Sequence, residues 1–345
     1  MELAILFGGA SFEHEISIVS AITVKSKLKG FDLKFIFCDQ DHKFYLIEDA
    51  KMKSVTFSRG EHKKMPQLTP VKGGFEHKKR FSTDTYKLDV LNLVHGGDGE
   101  DGTLASLLDF YQINYIGPRS EACTFSFDKR YTKYYADALA IKVLPYEVIF
   151  TDSIRDVTTP YPFIVKPATL GSSIGVSIVH QESELDYALD VAFEFDKVVV
   201  IEPFIEGVKE FNLAGCFTQR GMEYSIIEEP QKNEFLDFEK KYMDFSRSAQ
   251  VEAAIIDEVI VNKMHSAFEK LYRNTFDGAL IRCDFFVIDK EVYLNEINPI
   301  PGSMANYLFD DFSATISALL QVLPKKNMPS VNYQYIHSIS SAKGK

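Results

Sequence analysis

Between Ile281 and Gly302 the sequence reads IRCDFFVIDKEVYLNEINPIPG. Arg282 and Asp284 lie two apart on one strand-like run. Glu296 and Asn298 lie two apart on the next, so each pair points to a single face. Asp289-Lys290 is a turn signal between the runs and predicts an antiparallel hairpin. Asp284 then comes within reach of Glu296 and Asn298. Two carboxylates and an amide oxygen on one sheet face make a hard-oxygen site suited to Mg²⁺, which keeps several waters and draws its other ligands from phosphates. Arg282 is a fixed cation beside it. Phe285, Val287 and Leu294 are expected on the opposite face. A polar solvent face is the plain alternative, but the sorting of polar from apolar residues favours the metal.

A second stretch, KPATLGSSIG at Lys166–Gly175, joins two strand patterns. A loop of small residues can fold its backbone N–H groups over phosphates, with Lys166 as a cation at its base. It matches neither G-x-x-x-x-G-K-[ST] nor G-x-G-x-x-G, and on residues alone a Gly/Ser turn fits it equally well. Glu202-Pro203-Phe204-Ile205 ends a further strand, where a crossover can offer a nucleobase backbone groups and an apolar wall.

The elements that must carry these residues fall into three groups. Strand patterns at Leu3–Phe7, Leu33–Cys38, Phe44–Ile47, Val90–Val94 and Asn114–Ile116 alternate with helical patterns at Ser17–Leu28 and Leu104–Tyr111, predicting an open α/β domain over residues 1–120. Residues 121–205 read as a small α+β unit, with a helix from Asp128 to Leu139. Residues 206–345 carry longer strands with helices near 252–273 and 312–322, then a polar, frayed tail from Pro324. The Lys/Arg-rich stretch from Lys51 to Arg80 reads as a solvated excursion. Asp98, Glu100 and Asp101 read as a turn that caps the helix at Leu104. His95 is left without a role.

The chain has 345 residues and a net charge of -11, which argues against nucleic acid as a partner. Cys38, Cys123, Cys216 and Cys283 are far apart and form no C-x-x-C, as expected of thiols in a reducing compartment. No leader pattern or membrane-length apolar run is present, so a cytoplasmic protein is expected.

Four stretches, in order, carry a resemblance that spans nearly the whole chain: LFGGASFEHEIS at 6–17, HGGDGEDG at 95–102, VKPATLGSSIGV at 165–176, and RCDFFV with NEINPIPG at 282–287 and 295–302. Together they resemble the ATP-grasp superfamily, and within it the D-alanine–D-alanine ligases. The resemblance implies a three-domain fold with nucleotide held between two α+β domains. It implies ATP as co-substrate, two Mg²⁺ ions for which Mn²⁺ can substitute, D-alanine as substrate, and a homodimer. Lys129, Lys166 and Ser173 then match ATP phosphate contacts. Glu202 and Ile205 match the adenine hinge, Glu210 the ribose acid, and Lys241 a loop lysine reaching ATP. Asp284, Glu296 and Asn298 match the metal ligands. Glu13 matches the acid that receives the first D-alanine's ammonium, with Ser172 and Tyr242 bonded to it under a loop at about 231–248. Read from position alone, after a Gly-Gly turn, capping the helix from Ser17 is the favoured role for Glu13. Arg282 and the Gly302 N–H match the oxyanion stabilisers. Tyr307-Leu308 stands where several relatives hold the second substrate's carboxylate with serine and leucine. Two other readings stay open here: a ligase taking D-lactate or D-serine second, and a nucleotide-binding module without catalysis.

Overall fold

The computed structural model describes residues 1–230, 251–325 and 329–342. Its strands form three sheets. The first holds β1 (Glu2–Gly8), β2 (Asp32–Cys38), β3 (Phe44–Ile47), β4 (Gln67–Val71), β5 (Gly74–Lys78), β6 (Thr83–Tyr86), β7 (Val90–Asn92) and β8 (Tyr115–Ile116). Their order is β6-β5-β4-β3-β2-β1-β7-β8. The β2-β1-β7-β8 core is parallel and the β3–β6 side antiparallel. Parallel strands are covered on both faces, and β1 shows how. Leu3, Ile5 and Phe7 pack with Ile18, Ala21 and Val24 of helix His14–Lys27. Ala4 and Leu6 pack with Leu104, Ala105 and Leu108 of helix Thr103–Phe110.

The second sheet holds β9 (Glu147–Phe150), β10 (Phe163–Pro167), β11 (Ser177–Val179) and β12 (Val198–Pro203), ordered β11-β10-β12-β9 and antiparallel throughout. Phe163, Val165, Val199 and Ile201 face helix Leu185–Phe193 through Ala188, Leu189 and Ala192. Strict alternation turns Lys166 and Glu202 to the opposite face. Register pairs Lys166 with Val200 and Glu202 with Ile164, so the two charged residues are diagonal neighbours.

The third sheet holds β13 (Lys209–Thr218), β14 (Gly221–Glu228), β15 (Ile281–Ile288) and β16 (Glu291–Asn298), ordered β14-β13-β15-β16 and antiparallel. Its apolar face, with Cys283, Phe285, Leu294 and Ile297, packs on Met264, Phe268, Leu271 and Tyr272 of helix Glu258–Tyr272. Strict alternation would set Leu294 beside Glu296. A bulge between Asp284 and Phe285 matches Asp284 to Glu296 but Phe285 to Leu294. The extra residue, Asn295, sends Leu294 to the core while Glu296 keeps the polar face.

Two expectations are corrected. The basic stretch 51–80 is built into the first sheet through β4 and β5 and buries Phe57, Leu68 and Phe75. Its lysines and arginines decorate the outer side of an ordered extension. The tail after Pro324 includes a helix, Gln334–Ala342. The helix expected near 252 starts at Glu258, where Asp257 accepts the Val259 N–H.

Phe285 is fully buried directly behind Asp284. Phe285→Ala is expected to cost about 3–5 kcal/mol of stability by leaving a cavity, seen as a lower denaturant midpoint at unchanged slope. A shift under about 1 kcal/mol would show that the hairpin does not depend on this packing.

Candidate active site

β15 and β16 position the polar set by register: Arg282 opposes Asn298 and Asp284 opposes Glu296. The Arg282 guanidinium donates Nε to Asp284 Oδ1 at 2.7 Å and Nη2 to Oδ2 at 2.8 Å, the bidentate geometry that fixes both groups. Asn298 Nδ2 donates to Asp284 Oδ2 at 3.0 Å, which leaves its carboxamide oxygen for an ion. Burial lifts the Asp284 carboxyl to about 6; Arg282 opposes this and the nearby Glu296 adds to it. Next along the sheet, β13 sets Asn212 opposite Asp284 and also opposite Glu228. Asn212 Nδ2 donates to Glu228 Oε2 at 3.3 Å, and its Oδ1 is buried with no donor. Two crowded carboxylates and amide oxygens around one spot form the donor set a hydrated divalent cation takes. These residues fit Mg²⁺.

Facing this row are the lysines. Asp128 caps helix Lys129–Ala138, its Oδ1 accepting the Arg130 N–H at 2.9 Å. That cap fixes Lys129 at the first helical position. The Lys129 N–H donates to Ala168 O at 2.9 Å and its ammonium to Leu170 O, so the helix start and the small-residue loop hold one another. Burial lowers the Lys129 pKa; Glu296 and Glu13 oppose this and Lys166 reinforces it. Groups from the start of the first helix, from β10 and from β16 thus bear on one ammonium. The loop's base is tied by Thr169, whose N–H and hydroxyl both donate to Asp196 Oδ2, at 2.8 and 2.6 Å. Ser172 and Ser173 take left-handed backbone, at φ 54° and 60°, a strain that concentrates at functional loops.

Glu13 heads the first helix without capping it. Its Oε1 accepts the Ser172 hydroxyl at 2.6 Å, which links the first glycine loop to the phosphate loop. Burial raises its pKa, Glu100 adds, and Ser172, His95 and Lys129 oppose. A Cβ on Gly96 would stand 2.7 Å from Glu13 Oε2, on backbone at φ +64°, so only glycine lets the second loop pass. Asp101 Oδ1 accepts the Thr103 N–H at 2.7 Å from one residue before the N-cap, which is Gly102 and carries no side-chain cap. Asp98 instead accepts the Ala10 N–H at 2.9 Å and so binds the two glycine loops together.

Beyond Gly302 the chain makes a tight turn in which Ser303, Met304 and Ala305 all have left-handed φ, 48°, 54° and 48°. Such residues cost about 1–3 kcal/mol each unless surroundings enforce them. Here Met304 N donates to Pro301 O at 2.7 Å, Asn306 Nδ2 to Ser303 O at 2.8 Å, and Ser303 N to Ser20 Oγ at 3.1 Å. Ser20 also meets His95 Nε2 at 2.9 Å. His95 therefore braces the turn that follows Gly302, a role its sequence context did not show. Tyr307, half-buried, is near enough to act on the Arg282 charge, while Leu308 is buried in the core.

Of the residues singled out in sequence, Glu13, Lys129, Lys166, Ser172, Arg282, Asp284, Glu296, Asn298 and Tyr307 are linked by these contacts. Glu202 is 2% exposed and spends both carboxylate oxygens on Lys133 and Lys166. Ile205 follows β12 and Glu210 lies on β13, on the same face as Asn212. Lys241, Tyr242 and the loop at 231–248 lie outside the described residues. Lys133, Asn212 and Ser20 were missed. The one available signal was a polar residue inside an apolar helical stripe, as with Ser20 between Ile18 and Ala21.

Known proteins repeat this organisation. A model described as D-ala D-ala ligase N-terminus matches residues 2–118, and one described as D-ala D-ala ligase C-terminus matches 141–316. A D-alanine–D-alanine ligase of Sulfurimonas denitrificans is 61% identical over 345 residues, covering 100% of both chains. One of Campylobacter concisus is 54% identical, covering 100% of this chain and 99% of its own. The crystal structure of D-alanine–D-alanine ligase from Helicobacter pylori has a TM-score of 0.84 at 50% identity, covering 95% of this chain and 100% of that one. The VanG D-Ala:D-Ser ligase of Enterococcus faecalis, at 23% identity and a TM-score of 0.75 over 93% of this chain and 98% of that one, shares the fold. Agreement along the whole length, in sequence and backbone alike, places this chain in the D-alanine–D-alanine ligase family, within the three-domain ATP-grasp fold.

Proposed function

We propose that this chain joins two D-alanines into D-alanyl-D-alanine at the expense of ATP, releasing ADP and phosphate, and so supplies a peptidoglycan precursor. One observation carries the reading: the Arg282–Asp284 pair, with Glu296 and Asn298, meets Lys129, Lys166 and the Glu13–Ser172 pair where the three sheets converge. The names of relatives more than half identical over the full length agree with it.

A carboxylate is a poor acyl donor because its leaving oxygen is poor and it is already anionic. Glu13 receives the first D-alanine's ammonium and aims the substrate carboxylate at the γ-phosphorus. An oxygen–phosphorus bond forms, ADP leaves, and an acyl phosphate results. Lys129, Lys166 and the N–H groups around Ser173 hold the phosphates. Asp284, Glu296 and Asn298 would hold Mg²⁺, two ions per site with Mn²⁺ able to replace it, and the bound ions would neutralise charge on the transferring group. Glu202 and Ile205 meet the adenine through the hinge and Glu210 the ribose. The second D-alanine, carboxylate on Tyr307 and Leu308, attacks as a neutral amine. Arg282 and the Gly302 N–H stabilise the resulting oxyanion, and phosphate leaves. Lys241 and Tyr242, in the loop at 231–248, cover the reaction from water.

Domain limits near residues 120 and 205, a homodimer and a cytoplasmic location complete the proposal. No described helix is long and apolar enough to cross a membrane, and the four cysteines are free and buried.

Arg282→Ala is expected to bind ATP while ligation falls by about 10²–10³; product formed at the parent rate would remove Arg282 from the chemistry. Glu296→Gln is expected to weaken Mn²⁺ binding, measured by electron paramagnetic resonance, together with turnover. An unaltered spectrum and rate would unseat the ion site. Phosphate release across D-alanine, D-serine and D-lactate as acceptors tests the second substrate. D-alanine should dominate at neutral pH, and preference for D-lactate there would overturn the assignment.

A further inference from the structure

Lys133 is 1% exposed, reaches no phosphate loop, and belongs to none of the sequence stretches that carry the resemblance. It lies one turn after Lys129 on helix Lys129–Ala138, so both project from one side of the helix. Lys129 is used on the phosphate loop at Leu170 O. Lys133 runs the other way and pairs with Glu202 Oε1, while Lys166 takes Glu202 Oε2. Its ammonium also lies 5.3 Å from the Tyr146 ring centroid, an aromatic face that favours a desolvated cation.

Two lysines on one buried carboxylate is an uneven arrangement, and an ordinary buried ion pair needs only one cation. Burial alone would raise the Glu202 pKa, but Lys166 and then Lys133 outweigh it and the carboxyl stays below its usual range. The surplus cation has a use once an anionic nucleotide enters. Phosphate oxygens draw the Lys166 ammonium away from Glu202. Without Lys133 that motion would strand a buried carboxylate with no partner, a strongly unfavourable state. With Lys133 in place, Glu202 remains ionised and fixed whether Lys166 faces it or the phosphates.

We propose that Lys133 is a positioning residue for nucleotide binding: through Glu202 it orients Lys166 and keeps the Glu202 carboxylate paired when Lys166 turns to the phosphates. Because Glu202 also belongs to the hinge at the end of β12, the same carboxylate couples the adenine side of the cleft to the phosphate side. The inference rests on the reading of Lys166 as a phosphate ligand.

Steady-state kinetics on the full-length chain, with thermal unfolding of each variant in parallel, test it. Lys133→Met is expected to raise KM for ATP roughly 10- to 100-fold, the scale of a lost charge-assisted hydrogen bond, with KM for D-alanine changed by less than about two-fold. Lys133→Arg, which keeps the cation, recovers part of the loss. Glu202→Gln combined with Lys133→Met should be no worse than Glu202→Gln alone, because the two act through one another. A Lys133 that merely supports the fold would lower the unfolding temperature and leave KM for ATP unchanged in the folded enzyme; that result overturns the inference. Lys166→Met separates the two layers. If it leaves KM for ATP unchanged, the phosphate role of Lys166 falls and the inference with it. If Lys166→Met weakens ATP and Lys133→Met does not, the inference alone falls. Should Lys133→Met fail to fold, the double variant decides, and a KM for ATP in that protein well above that of Glu202→Gln alone overturns the proposal.

Discussion

The twin hydrogen bonds from Arg282 to Asp284 anchor the molecule's chemistry, because they settle where charge sits on the third sheet. A buried aspartate near a second carboxylate would otherwise hold a proton and lose its value as an ion ligand. The guanidinium opposes that tendency, fixes the plane of the carboxylate, and turns the remaining lone pairs toward Glu296 and Asn298. It is itself oriented by the same contact. The remaining parts of the structure bring loops to this spot.

Those loops come from separate parts of the chain and are joined by small, specific contacts on top of a shared apolar core. Asp98 ties the two glycine loops at Ala10, Ser172 reaches Glu13, and Ser20 bridges His95 to Ser303. Thr169 moors the phosphate loop to Asp196. Each bond is individually modest. Together they fix how the loops meet over the sheets. Cations and anions alternate across the cleft, as Lys129 between Glu296 and Glu13 shows.

Much of this was legible in the sequence where local periodicity decides position. Arg282, Asp284, Glu296 and Asn298 could be assigned to one face because strand alternation and one turn signal are local rules. The bulge at Asn295 was not visible, since a single inserted residue leaves no compositional trace. Lys133 was invisible for a different reason: its partner lies 69 residues away, and a lysine inside a polar helix resembles any solvated lysine. The basic stretch misled because β4 to β6 alternate charged and apolar residues in short runs, with Phe57, Leu68 and Phe75 too sparse to announce a core. Asn212 was hidden between two apolar neighbours, Phe211 and Leu213.

The left-handed turn at Ser303–Ala305 separates two jobs that other sites merge. Its donors belong to the main chain, and the shape that aims them is enforced by neighbours such as Ser20 and Asn306. Side chains leaving the turn are therefore not needed to generate the electrostatic field. On the proposed reading, in which Tyr307 lines the acceptor pocket, exchanging it would resize that pocket while the main-chain donors keep their shape. Substrate choice can drift over evolutionary time at such a position without the enzyme first having to pass through an inactive form.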